Sequence, residues 1–387
     1  MNGNREQGTR DLYSALRTRL SGRFMFDPEI HKSQKAKPAA RAGITLDLAL
    51  TSRCPLRCRY CSVDKTPYPE LPAREWMGIL ESFARLRRID LVSLEGGEPL
   101  LRADLPAILK TCLDCAQGVK IVTSGAIPLD SLPQGLLHHP RFFLELSMDG
   151  PREVHDFLRD GSFGQAWTFL RAALERPIPV RLRSVISRYN LPFMEDWLTG
   201  LDLELEPYKQ GVPFSFDTLL FPEAMAREGG HLQRARVNRY PAQGILPSPQ
   251  EMWRLFKNLK NRNLACLRIP QSEPLRGCGF AQGGGISFDP AGFFSFCCEA
   301  SRGLGWIHQS SPERCLALLD AANRNRPCGA CPYFQEDLCH GCWTGQKCGM
   351  VEYWGAGDCQ TLHRWMVHGR DLSASKSPYA NKFAPTP

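Results

Sequence analysis

The chain has 387 residues, 43% of them hydrophobic and 23% charged, the proportions of a folded globular protein and not of a disordered or fibrous one. No apolar run of about 18 residues reads as a membrane span, and the polar start MNGNREQGTRDLYSALRTRL lacks the apolar segment of a secretory signal, so the expected location is the cytoplasm. The net charge of +8 gathers in residues 1–43 and around Arg227–Arg239; it suits an anionic substrate or an acidic peptide, or is simply a solvated surface. No nucleic-acid module is recognisable, so neither a membrane nor a nucleic acid is an expected partner.

Residues 1–43 read as a basic N-terminal extension ending in SQKAKPAARAG. From residue 44 strands alternate with helices. The strands are expected at Ile44–Thr51, Ile89–Leu94, Val119–Thr123, Phe142–Ser147, Val180–Ile186 and Phe214–Phe221. Amphipathic stretches at Ala73–Leu86, Ala103–Ala116, Phe163–Leu174 and Leu191–Leu201 lie between them. Six such units predict an α/β fold with a parallel sheet and right-handed crossovers, curved into a partial (β/α)6 TIM-like barrel over residues 44–225. Chemistry in such a barrel belongs at the C-terminal strand ends. A helical linker is expected over 226–277, a smaller Cys-rich domain over 278–370 and a loose Ser-, Pro- and Lys-rich tail over 371–387.

Sixteen cysteines are the unusual feature. In a reducing compartment such a number points to metal ligation or catalysis before disulfides. The first strand runs into SRCPLRCRYC, which places Cys54, Cys58 and Cys61 on one short loop. Three thiolates can ligate three irons of a [4Fe–4S] cube and leave the fourth iron open to a cofactor. Taken alone, the loop is also compatible with a zinc knuckle.

Three further strand ends carry motifs. The second ends in Glu95-Gly96-Gly97-Glu98-Pro99, where glycines allow close backbone approach and Glu98 offers a charged acceptor. The third ends in Thr123-Ser124-Gly125, and the fourth in Ser147-Met148-Asp149-Gly150-Pro151 followed by His155, Asp156 and Arg159. In this order the motifs resemble those of the radical S-adenosylmethionine (SAM) superfamily. The resemblance implies that Cys54, Cys58 and Cys61 hold a [4Fe–4S] cluster whose open iron is chelated by SAM. It further implies that Tyr60, Gly96, Gly97, Glu98, Pro99, Ser124, Ser147, Asp149, Arg159 and Arg183 form the cofactor site. Tyr60 would lie near the adenine, the Gly96–Pro99 stretch would hold the SAM ammonium, and Ser147 and Arg159 would reach its ribose or carboxylate. Ser124 stands where relatives often carry Asn.

In the C-terminal part, Cys278, Gly292 and Cys297 are followed by Cys328, Cys331, Cys339, Cys342, Cys348 and Cys359. The series resembles the SPASM extension of the same superfamily, which implies one or two auxiliary [4Fe–4S] clusters. The first half of the pattern fits. In the second half the Cys331–Cys339 interval is longer and the Cys339–Cys342 interval shorter than the family's. By the family's arrangement Cys278, Cys297 and either Cys342 or Cys348 hold one cluster, and Cys328, Cys331, Cys339 and Cys359 the other. A small zinc ribbon is the alternative. Cys298 is a candidate hydrogen donor, a buried spare thiol or an alternative ligand, and Glu299 is the nearest carboxylate to it in sequence. Cys112 and Cys115, one helical turn apart, read as core packing or a redox pair; Cys266 and Cys315 have no evident partner.

The resemblance implies a radical oxidoreductase or maturase acting on a ribosomally made peptide or protein, by crosslinking, thioether formation, formylglycine-type oxidation or epimerisation. An external reductant such as flavodoxin or ferredoxin and a separate leader-peptide recognition protein are its implied partners. Dehydrogenation or decarboxylation of a small molecule, such as an aminocyclitol or sugar, is the second reading. A non-catalytic metal-binding interaction protein is the third.

Overall fold

The computed structural model describes residues 43–61, 63, 65, 67–208, 211–218, 247, 249–260, 262, 264–268, 284–296 and 304–324. Within them β1 (Ile44–Thr51), α1 (Ala73–Leu86), β2 (Ile89–Gly96), α2 (Leu105–Cys115) and β3 (Val119–Thr123) follow one another. Then come α3 (Gln134–Leu137), β4 (Phe142–Ser147), α4 (Arg152–Leu158), α5 (Phe163–Glu175), β5 (Val180–Ile186), α6 (Met194–Leu205) and β6 (Val212–Thr218). The remainder is α7 (Pro249–Lys260), β7 (Leu267–Arg268), β8 (Gly285–Phe288), β9 (Phe293–Ser295), β10 (Gly305–Trp306) and α8 (Pro312–Arg324).

The strands form one sheet in the order β10-β9-β8-β1-β2-β3-β4-β5-β6-β7. Every pair from β8 through β1 to β7 is parallel, and β9 and β10 return antiparallel. The expected six-stranded unit is thus present, with β7 and β8 added at its flanks. Those two escaped the sequence reading because β7 has two residues and β8 belongs to a segment assigned to the Cys-rich domain. β6 begins two residues before its expected start at Phe214 and ends at Thr218. The short α4, directly after the fourth motif, was also not anticipated.

Strand alternation builds two interiors. Leu46, Leu48, Leu50, Val92, Leu94, Ile121, Leu144, Leu146 and Leu182 belong to the apolar core with the covering helices. Trp76 and Phe83 of α1 meet Phe288 of β8 edge-on, with centroids 6.2 and 6.0 Å apart. The alternate positions carry Asp47, Ser93, Glu95, Lys120, Glu145, Arg181, Arg183 and Ser287, so the concave side is polar and charged. Glu145 lies at its centre: Lys120 reaches it at 3.0 Å, Arg183 at 3.1 Å and Arg181 at 3.7 Å. Burial works to raise the Glu145 pKa, but Lys120, Arg183 and Arg181 outweigh it and hold the carboxyl at about 2.

β8 and β9 form an antiparallel hairpin that turns at Asp289–Gly292. Asp289 Oδ1 accepts the amides of Ala291 and Phe293, both at 2.9 Å, and Gly292 closes the turn at a φ of 85°. The hairpin is joined to the barrel, because β8 pairs with β1 and Pro290 accepts the Leu71 amide at 2.7 Å. Bidentate Arg87–Asp320 contacts of 2.8 and 2.7 Å join α1 to α8. Among the described residues no helix is long and apolar enough to cross a membrane.

Candidate active site

Cys54, Cys58 and Cys61 lie, partly buried, on the loop that leaves β1. The motif after β2 straps this loop down: Gly97 donates to Thr51 O at 2.7 Å and Glu98 to Arg53 O at 2.8 Å. Gly96 has a φ of 128°, a conformation a side chain resists. At Gly97 an added methyl would meet the Ser52 and Arg53 carbonyls. The two glycines are therefore a packing requirement of the cysteine loop.

Burial raises the pKa of Cys54, and that of Cys58 to about 11. Lys65 counters the shift at both thiols, and at Cys58 the larger counterweight is Arg159. Metal coordination requires the thiolates, so these cations favour the ligand form. Among the described residues no three His, Cys, Asp or Glu side chains converge on one ion position. That is compatible with a cube, in which each thiolate takes its own iron and the sulfurs stand apart by the width of the cluster. The three thiols, the two cations beside them and the enclosing loop fit such a group.

Glu98 is fully buried, and its carboxylate is occupied. Oε1 accepts from Thr123 Oγ1 at 2.8 Å and the Leu100 amide at 3.3 Å; Oε2 accepts from Ser124 Oγ at 2.6 Å and the Ser124 amide at 2.9 Å. It ties the second strand end to the third, so its side chain acts here as a strut. Burial raises its pKa against those hydrogen bonds. Ser124 takes part through the same contact.

The fourth motif forms a buried hub at Asp149. Oδ2 accepts from the Tyr60 hydroxyl and from Arg159 Nε at 2.6 Å. Oδ1 accepts from the Val185 amide at 2.9 Å, with Arg159 Nη2 and Ser184 Oγ at 3.4 Å. The Arg159 guanidinium lies 5.4 Å from the Tyr60 ring centroid. Burial works against the Arg159 charge and Asp149 outweighs it, leaving the guanidinium pKa raised; burial pushes the Tyr60 phenol well above its usual value. His155 Nδ1 accepts the Asp149 amide at 3.2 Å, and its Nε2 lies 3.1 Å from Ser162 Oγ. Burial, with Arg159 nearby, lowers the His155 pKa to about 4, so the ring is neutral with its proton on Nε2.

The structure thus brings Tyr60, Asp149 and Arg159 together against Cys58, and Gly96, Gly97, Glu98, Pro99 and Ser124 together beside Cys54. Ser147 ends β4 two residues before the hub. Arg183 lies deeper, on Glu145. Sequence reasoning placed Thr123 in the third motif without giving it a role, and it missed Ser184 and Asn190. Asn190 Nδ2 donates to Asp149 O at 3.0 Å and Val185 O at 2.9 Å, a role with no local sequence signal. Cys112 is buried in α2 and its thiol pushed up by burial; Cys266 and Cys315 are also buried. Cys278, Cys297, Cys298, Glu299, Cys328, Cys331, Cys339, Cys342, Cys348 and Cys359 lie outside the described residues.

Comparison with known proteins agrees with this geometry. Residues 48–197 match the radical SAM superfamily, a span holding all four motifs. The chain carries a radical SAM domain. Over 162 residues it is 33% identical to PqqA peptide cyclase of Methylobacterium sp. (strain 4-46), covering 40% of this chain and 42% of that protein. Over 146 residues it is 32% identical to pre-heme d1 synthase of Dinoroseobacter shibae, covering 36% of each. The chain therefore matches well under half the length of these curated relatives. Native anSMEcpe, solved with bound AdoMet and Cp18Cys peptide, shares the fold at a TM-score of 0.57 and 17% identity, covering 84% of this chain and 96% of that one.

Proposed function

We propose that the protein is a radical SAM enzyme that oxidatively modifies a ribosomally made peptide or protein. The observation that carries this reading is the meeting of the cysteine loop with the Asp149–Arg159–Tyr60 hub at the C-terminal rim of the barrel. Cys54, Cys58 and Cys61 would hold a [4Fe–4S] cluster, and the backbone of Gly96 and Gly97 with Ser147, Asp149 and Arg159 would hold SAM. When bound, the two together supply the electron and the 5′-deoxyadenosyl radical that abstracts hydrogen from the substrate. The chain's own part is placement. Asp149 orients Arg159 and Tyr60, Glu98 fixes the β2 and β3 rims to each other, and the charged concave side gives a substrate polar partners below the rim.

The peptide class is supported by the similarity to PqqA peptide cyclase and by the fold shared with anSMEcpe, which was solved with a peptide. A small-molecule substrate is the second reading, favoured by the similarity to pre-heme d1 synthase. The domain boundaries read from the sequence, the auxiliary clusters and their ligands from Cys278 to Cys359, the hydrogen-donor role of Cys298 and the participation of Glu299 are part of the proposal. So are Arg183 as a cofactor contact, a flavodoxin- or ferredoxin-type reductant, a separate leader-recognition protein and a cytoplasmic location.

The test is anaerobic iron and zinc analysis with low-temperature EPR, wild type beside a Cys54/Cys58/Cys61 triple Ala variant, together with an assay of reductive SAM cleavage. About twelve irons per chain, falling by about four in the variant, is the expected result, since each cube holds four. About four irons and one zinc would keep the radical core and make the C-terminal region a zinc module. A fully reconstituted protein that cleaves no SAM would defeat the enzyme reading.

A further inference from the structure

The cysteine loop is held from a second side, by a segment about a hundred residues away in sequence. Arg57 donates its amide to Asp160 Oδ2 at 2.9 Å, and Arg59 donates its amide to Leu158 O at 2.8 Å. The Arg59 side chain follows, with Nε on Phe157 O at 2.7 Å and its guanidinium 3.9 Å from the Phe157 ring centroid. The two amide contacts flank Cys58, one residue before it and one after. Asp160 has a φ of 60° and Gly161 one of 74°, two successive left-handed residues. A non-glycine residue resists that conformation, and Asp is among the few that tolerate it. The turn is fastened from behind by Gly161 donating to Asp156 O at 2.9 Å and the Phe163 amide donating to Asp156 Oδ1 at 2.7 Å. Arg159, between Leu158 and Asp160, is pinned to Asp149. Leu158 O, Asp160 and Arg159 are thereby all aimed at the cysteine loop.

From this we infer that Asp160 and Arg59 are positioning residues for the cluster loop. They fix the backbone on both sides of Cys58 in the form that receives an iron–sulfur cluster, and they set how firmly that cluster is retained. The inference rests on the radical SAM reading of Cys54, Cys58 and Cys61.

The experiment compares full-length wild type, Asp160→Ala, Asp160→Asn and Arg59→Gln after anaerobic reconstitution. The Cys54/Cys58/Cys61 triple Ala variant identifies which iron and which EPR signal belong to this loop. The readouts are that EPR signal and its rate of loss under an iron chelator. Loss of one hydrogen bond beside a ligand predicts that Asp160→Ala loses the signal about fivefold faster than wild type. Asp160→Asn is expected to stay near wild type, because its Oδ1 accepts the same amide and Asn also tolerates positive φ. Arg59→Gln, which keeps the amide and removes the grip on Phe157, is expected to fall between them. Equal rates in wild type, Asp160→Ala and Arg59→Gln would overturn the inference, as would an Asp160→Asn variant as labile as Asp160→Ala. Should Asp160→Ala not fold, as judged by circular dichroism, Arg59→Gln against wild type decides alone. A wild type whose iron and EPR signal match the triple variant would instead sink the reading beneath it.

Discussion

Replacing Asp149 with Asn keeps the side chain's shape and removes the charge, so it isolates what the hub contributes. In the structure both carboxylate oxygens receive donors: Oδ2 takes Tyr60 and Arg159 Nε, and Oδ1 takes the Val185 amide. An Asn presents one oxygen and one NH2. If the NH2 takes the Oδ2 side, Tyr60 can rotate its hydroxyl to accept, but Arg159 Nε–H then faces another donor. If it takes the Oδ1 side, the Val185 amide does. Either way a buried guanidinium loses its counter-charge, which typically costs about 3–5 kcal/mol when one partner of a buried pair is removed. Urea unfolding of the anaerobically reconstituted protein, followed by circular dichroism, measures that loss, and calorimetric titration with SAM measures binding. The expected outcome is a stability loss in that range with SAM affinity reduced at least about tenfold, the equivalent of about 1.4 kcal/mol at 25 °C. Arg159→Met in the Asp149→Asn background should cost less than the sum of the single changes, because the stranded charge is gone. A loss below about 1 kcal/mol with unchanged SAM affinity would refute the argument that the pair organises the site.

Gly97→Ala places a methyl 2.8 Å from Ser52 O and closer still to Arg53 O; overpacking of this kind costs about 1–3 kcal/mol, and iron bound at the cysteine loop should fall with it. Equal iron content in the purified variant would show that the loop has room. Glu145 has its pKa held below the ordinary 4.5, at about 2, so its stabilisation is full above about pH 4.5 and is lost as pH falls toward 2. That difference corresponds to roughly 3 kcal/mol, and Glu145→Gln should remove this part of the acid arm in pH-dependent unfolding. His155, its pKa lowered to about 4, contributes stability that is lost as pH falls from about 6.5 toward 4. Its ring resonances should therefore stay those of a neutral imidazole between about pH 5.5 and about 8, a window that lies wholly more than about one unit above the shifted value; titration near about pH 6.5 would contradict the buried contact with the Asp149 amide.

Much of the barrel was legible because strand periodicity is a local signal. β1, β3, β4 and β5 fall at the residues the alternation predicts, and α1 spans the whole of Ala73–Leu86. The cysteine loop and the motifs after β2, β3 and β4 were legible for a related reason, since each is a short run fixed by spacing. What escaped was pairing between distant segments. Nothing near Asn190 says that its side chain bridges Asp149 and Val185, and the spacing of Arg57 and Asp160 carries no mark of their contact. The charged residues on the strands were visible, but not that Lys120, Arg181 and Arg183 meet on Glu145, because that depends on sheet register. Glu98 illustrates the same limit. The motif marks it as an acceptor, yet only the neighbouring strand end decides that its donors are Thr123 and Ser124.

These distant pairings share one pattern, in which each strand-end motif is fastened to another loop of the same rim. Gly97 and Glu98 bind the start of the cysteine loop through their amides, while the Glu98 carboxylate binds the β3 end. Asp149, after β4, binds Val185 near the end of β5 and reaches back to Tyr60. Asp160 and Leu158 then close the circuit onto Arg57 and Arg59. A rim built this way does not rely on the intrinsic stiffness of its loops, which are rich in Gly and Pro. Its rigidity comes from contacts that hold each loop at two or more points, several of them buried and charge-assisted. Such an arrangement suits a site that must keep three thiols and a cofactor's polar groups in fixed relation, because displacing any one loop requires breaking its bonds to the others.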